Sequence, residues 1–168
     1  MPTHRLLLIR HAQAADAPVD RDRPLTANGT RAATAIGTWL RQAGYVPDRV
    51  LVSPALRAQQ TWAAAAEALG AAPEATVDQR IYDNTVEAVL EVIGELAGDA
   101  DTVAVVGHNP SIGRLAFDLD DGTGSDTARR QLHAGFPTGA VAVFRVDGAF
   151  TDLGAGAAIL EDFVVPGA

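Results

Sequence analysis

Three short stretches carry the side chains able to do chemistry. Arg10-His11 follows the apolar run Leu6-Leu7-Leu8-Ile9. Ser53-Pro54-Ala55-Leu56-Arg57 follows Val50-Leu51-Val52, and Gly107-His108-Asn109-Pro110 follows Val103-Ala104-Val105-Val106. A guanidinium presents a planar fork of N–H donors that grips phosphate bidentately. An imidazole can serve as nucleophile, base or metal ligand. Two Arg and two His gathered at one rim suit a phosphoryl group, with His11 placed to attack it or to take a proton. Each stretch alone also has a bland reading: a solvated strand end, a capping histidine, an arginine on a wet helix face. Their coincidence at one rim favours chemistry. A metal on His11 and His108 is disfavoured, because no Asp or Glu joins them at ligand spacing and two arginines repel a cation. No metal and no cofactor are expected.

The elements explain how the stretches meet. The three apolar runs read as buried strands of an α/β sheet. Each polar stretch then stands at a carboxyl end, where open α/β sheets hold their ligands. Ser53-Pro54 reads as an N-cap followed by proline at the first helical position, with Arg57 in the first turn and Gly70 at the end. Helical side chains lean toward the N-terminus, so Arg57 points back to the rim. Asn109 can cap a helix carrying Ile112, Leu115, Ala116 and Leu119. Both helix N-termini would add free N–H groups and a favourable dipole to an anion site.

Elsewhere Thr26 opens a helix through Ala33, Ile36 and Leu40 that Gly44 ends. A short strand is expected at Thr76-Val77, and Val86, Val89, Leu90, Ile93 and Leu96 form another amphipathic helix, ended by Gly98. Residues 120–138, rich in Asp, Gly and Thr, read as a long loop before strands at 139–144 and 158–165. Strand alternating with helix predicts a three-layer α/β/α fold with a mostly parallel central sheet. The last two strands, with no helix between them, predict an antiparallel edge.

At 168 residues the chain suits one domain over 1–168. Net charge is −8, which disfavours nucleic acid and leaves anion binding to a few focused Arg and His residues. There is no Cys, which removes disulfides and thiolate chemistry and fits a cytoplasmic protein. No apolar run reaches the roughly 20 residues of a membrane span. A monomer or weak dimer is expected.

The motifs Leu8-Ile9-Arg10-His11-Ala12, Arg23-Pro24-Leu25-Thr26, Ser53-Pro54-Ala55-Leu56-Arg57-Ala58-Gln59-Gln60-Thr61 and Val106-Gly107-His108-Asn109-Pro110 occur in the order of a known family. Together they resemble the histidine phosphatase superfamily, with its phosphoglycerate mutase-like fold. The small size, Ala12 in place of the more usual Gly, and the Arg-Pro-Leu-Thr segment resemble its SixA-type phosphohistidine phosphatase branch. The resemblance implies that His11 becomes transiently phosphorylated while Arg10, Arg57 and His108 hold the equatorial oxygens. It implies that Arg23 closes over the phosphate or the leaving group, and Asn109 is expected beside the phosphate. The implied substrate is a phosphohistidine protein, with a small phosphomonoester such as a sugar phosphate or nucleotide as the alternative and a non-catalytic phosphate-binding module as a third reading.

Two departures from the family pattern stand out. Larger members carry a leaving-group acid in an inserted segment, and here the match stops around Ile81-Tyr82-Asp83-Asn84-Thr85-Val86-Glu87. Asp83 is the first candidate for the acid and Glu87 the second, and a helix-start carboxylate would explain either equally well. A missing acid matters little for phosphohistidine, whose imidazole leaves with little help. The second departure is Gln13-Ala14-Ala15, where relatives carry a charged residue and then Thr or Ser, so a substrate contact is expected to be lost there.

Overall fold

The computed structural model describes residues 3–168. Its strands are β1 (His4–Arg10), β2 (Arg49–Val52), β3 (Thr76–Val77), β4 (Thr102–Gly107), β5 (Val141–Val146) and β6 (Ile159–Val164). Its helices are α1 (Ala27–Ala43), α2 (Leu56–Leu69), α3 (Gln79–Asp83), α4 (Val86–Leu96), α5 (Ser111–Leu119) and α6 (Asp126–Ala134). The strands form one sheet in the order β3-β2-β4-β1-β5-β6. β1, β2, β3 and β4 run parallel, β5 lies antiparallel to β1, and β6 lies antiparallel to β5.

The apolar runs are continuous because both faces of the sheet are covered. Side chains alternate along a strand, so Leu6 and Leu8 of β1 join a core under α4, α5 and α6. Leu7 and Ile9 join the opposite core, formed with Ile36 and Leu40 of α1 and Trp62 of α2. The three-layer α/β/α architecture with its antiparallel edge is therefore as expected. Gly37 of α1 lies so close to Ala65 of α2 that a Cβ there would run into the Ala65 carbonyl oxygen. That approach locks α2, and with it Arg57, against the layer beside β1.

Register sets the rim. Arg10 pairs with Gly107 across β1 and β4, and the His11 amide donates to the Gly107 carbonyl at 3.0 Å. The Ser53 amide donates to the Val106 carbonyl at 3.1 Å, so β2, β4 and β1 end side by side.

Some local expectations change. Residues 120–138 are not one long loop, because α6 occupies Asp126–Ala134 with Ser125 as N-cap, its hydroxyl accepting from the Ala128 amide. In α6 Ala128 and Leu132 alone are buried, and the polar residues around them give the segment the composition of a loop. Proline does not start α2: the helix begins at Leu56, and the Ser53 hydroxyl accepts from the Ala55 amide instead. Ala97 rather than Gly98 caps α4. Among the described residues no helix is long and apolar enough to cross a membrane.

Candidate active site

A cavity of about 650 Å³ opens over the ends of β1, β2 and β4. Arg10, His11, Arg23, Arg57, His108 and Asn109 all line it, so the structure brings together six of the residues singled out from the sequence.

His11 is anchored by its own backbone. Its Nδ1 lies 2.8 Å from the Ala12 carbonyl oxygen, which can only accept, so Nδ1 carries the proton and Nε2 the lone pair. The Ala12 amide in turn donates to Thr61 Oγ1 at 3.0 Å, and that hydroxyl donates to the Arg57 carbonyl at 2.7 Å. Thus α2 holds the peptide that holds the ring. Burial pushes the His11 pKa down to about 4, the Ala12 contact opposes this, and Arg57, Arg10 and Arg23 push it lower. At neutral pH the imidazole is uncharged, the form a nucleophile requires.

His108 stands beside it, ring centroids 5.2 Å apart. Its Nε2 lies 2.8 Å from Ser53 Oγ. Burial first, then repulsion from His11 and Arg57, lowers its pKa to about 3. Arg57 is 6% exposed although charged, and Arg10 donates through Nη1 to the Phe136 carbonyl at 3.0 Å. The Nε atoms of both arginines are buried and lack a hydrogen-bond partner among the described residues. Buried donors left open in this way are costly unless a ligand completes them.

Asn109 lines the cavity with its amide already committed. Its Nδ2 donates to the Phe136 carbonyl at 2.9 Å and its Oδ1 accepts from the Gly113 amide in the first turn of α5 at 3.0 Å, although Pro110 rather than Asn109 holds the N-cap position. Asp83 and Glu87 are not brought to the cavity. Asp83 closes α3 and accepts from Gln79 at 3.3 Å, while Glu87 lies in the first turn of α4, on a separate hollow. α3 turns the adjacent Tyr82 toward the cavity instead. Gln13 and Ala14 do line it, although neither supplies a charge.

Asp20 was not singled out from the sequence, where it lies between Gln13 and Arg23. Asp20 is the one carboxylate among the cavity-lining residues. Its Oδ2 accepts from Tyr82 at 2.7 Å and Arg57 at 3.1 Å, and its Oδ1 accepts from Arg23 at 3.2 Å. Its carbonyl also accepts from Arg57 at 2.8 Å. The Tyr82 hydroxyl above all, with Arg57 and Arg23, draws its pKa down to about 2. The alternation Asp20-Arg21-Asp22-Arg23 was the available signal, since an acid three residues before Arg23 can fold back on it in a turn. Asn84, also missed, adopts a left-handed φ of 65° and bridges the Asn109 carbonyl to the Ser111 amide.

Residues 6–84 match the profile of the histidine phosphatase superfamily (branch 1). The chain is 34% identical over 123 residues to phosphohistidine phosphatase SixA of Escherichia coli K12, covering 70% of this chain and 75% of that protein. The chain belongs to the histidine phosphatase superfamily. It is thus a phosphatase, with its motif residues on the rim of the cavity. An uncharacterized Mycobacterium tuberculosis H37Rv protein, Rv1276c, is 38% identical over 161 residues, 94% of this chain and 99% of its own. A candidate SixA phosphohistidine phosphatase from Nakamurella multipartitia superposes with a TM-score of 0.86 at 36% identity, covering 98% of this phosphatase and 96% of that chain. Phosphoglycerate mutase from Plasmodium falciparum shares the fold alone, with a TM-score of 0.63 at 17% identity over 98% of this chain and 92% of that one.

Proposed function

We propose that this phosphatase hydrolyses phosphohistidine on a protein, through a phosphoryl group carried transiently by His11. The observation that carries the reading is the pairing of an uncharged His11, its Nε2 free, with a cavity whose one lining carboxylate, Asp20, is held ionised. Phosphoryl transfer asks mainly for in-line positioning and stabilisation of equatorial charge. Arg10, Arg57 and His108 supply the charge and donors, and Arg23, tied to Asp20, closes from the loop side.

In the first step the P–N bond of the substrate breaks as a bond forms from phosphorus to His11 Nε2. The departing imidazole takes its proton from solvent. In the second step water attacks phosphorus, the bond to Nε2 breaks, and inorganic phosphate leaves, the proton of that water passing to solvent. Splitting the hydrolysis in two keeps each barrier low. An alkoxide leaving group would need an acid, and an ionised Asp20 cannot supply one, which favours phosphohistidine over sugar phosphates.

The test compares kcat/KM on a phosphohistidine peptide, phosphoramidate, p-nitrophenyl phosphate and a hexose phosphate. The nitrogen-linked substrates should lead the hexose phosphate by at least about a hundredfold, the size of a well-placed acid's contribution. Equal or better turnover of the hexose phosphate would assign the enzyme to small molecules instead.

A further inference from the structure

We propose that Ser53 sets the tautomer of His108, keeping its proton on Nδ1 so that the ring meets a phosphoryl oxygen with an N–H. The tautomer is a property of the resting protein, and its use in catalysis rests on the function proposed above.

Ser53 is fully buried at the end of β2, and His108 is 4% exposed. A hydroxyl has one proton and two lone pairs. One lone pair of Ser53 Oγ receives the Ala55 amide at 3.2 Å. The remaining contact is His108 Nε2 at 2.8 Å. It can run in either of two directions. If Nε2 carried the proton and donated, the Ser53 hydroxyl hydrogen would have no acceptor, since no other hydrogen bond among the described residues engages it. A buried polar group left unsatisfied is costly. If Ser53 donates to the Nε2 lone pair, every group in the Ser53–Ala55–His108 cluster is used except Nδ1.

A neutral imidazole then has its single proton on Nδ1. That atom is buried and has no hydrogen-bond partner among the described residues. With Nε2 occupied by Ser53, Nδ1 is the only ring nitrogen through which His108 can bind an oxygen. The reverse tautomer would present a lone pair to a phosphoryl oxygen and repel it. His11 and His108 are therefore both Nδ1–H tautomers with opposite duties. His11 spends its N–H on the Ala12 carbonyl and keeps Nε2 for attack, whereas His108 spends its Nε2 on Ser53 and keeps its N–H for the anion. Capping alone does not explain Ser53, because α2 starts three residues later and Ala55 holds its N-cap position.

The experiment uses the full chain with 15N-labelled histidine. Two-bond proton–nitrogen correlations of His108 at neutral pH should show a protonated Nδ1 and an unprotonated Nε2. Ser53→Ala should bring up the Nε2–H form and weaken binding of inorganic phosphate or tungstate about ten- to a hundredfold, the span for losing a charge-assisted hydrogen bond. Ser53→Thr, which restores the hydroxyl, should recover both. A wild-type His108 protonated on Nε2 overturns the proposal, as does a Ser53→Ala protein with unchanged tautomer and phosphate affinity. Should Ser53→Ala not fold, Ser53→Cys keeps the size with a weak donor and is read in the same way. Both readouts work without turnover. An inactive protein showing the Nδ1–H tautomer refutes the proposed function alone, and an active one showing Nε2–H refutes this inference alone.

Discussion

Lowering the pH should destabilise this fold through its two site histidines well before its carboxylates titrate. Above the ordinary histidine pKa of 6.5, His11 and His108 are neutral in folded and unfolded chains alike and contribute no pH dependence. Below it the unfolded chain binds a proton on each, while the folded chain does not until about 4 for His11 and about 3 for His108. The unfolded state then holds more protons, so stability falls as acid is added. Each histidine contributes a slope approaching about 1.4 kcal/mol per pH unit, and the full difference for His11 reaches about 3 kcal/mol near its folded pKa. The second proton costs more than the first because the two imidazolium rings repel. Between pH 6 and pH 5 the wild type should lose about 2–3 kcal/mol of unfolding free energy. Urea unfolding at the two pH values measures it. His11→Gln and His108→Gln should each remove about half of the loss. If both variants lose as much as the wild type over this interval, the two imidazoles are not held neutral by burial and the reasoning fails.

Asp20→Asn should bind inorganic phosphate about three- to tenfold more tightly, because a half-exposed like charge is removed from the anion seat. Unchanged phosphate inhibition would remove Asp20 from that role. Asp83→Asn and Glu87→Gln should change kcat/KM by no more than about threefold on any substrate, since neither carboxylate reaches the cavity. A loss above a hundredfold on an alkyl phosphate for either would identify the acid that the resting geometry does not show. Thr61→Ala, which frees the Ala12 amide and Arg57 carbonyl, should cost about 1–3 kcal/mol in urea unfolding and lower turnover; wild-type values for both would break the link from α2 to His11.

The three rim stretches were readable because each follows a three- or four-residue apolar run, and parallel strands carry such runs to a common end. Residue spacing was therefore enough to gather Arg10, His11, Arg57 and His108. The acid was not readable in the same way. Asp83 and Asp20 are both carboxylates in short polar segments, and what separates them is the direction of one turn. The 3-10 turn at Asp20–Asp22 folds its carboxylate onto Arg57, 37 residues ahead, while α3 directs Tyr82 inward. Such contacts depend on tertiary placement of a loop with no periodicity of its own. α6 escaped for a related reason: the polar residues around its two buried ones, Ala128 and Leu132, give the segment the composition of a loop. Ser53 shows the opposite error, since the Ser-Pro pair matched a capping signal while its hydroxyl was serving His108.

The central claim is that His11 Nε2 forms a bond to phosphorus, and rapid acid-free quenching during turnover of labelled phosphoramidate tests it most directly. One equivalent or less of acid-labile, alkali-stable phosphate should appear on the chain, map to the peptide containing His11, and be absent from His11→Gln. Phosphate found on another residue, or a His11→Gln enzyme turning over within about tenfold of the wild type, would contradict it.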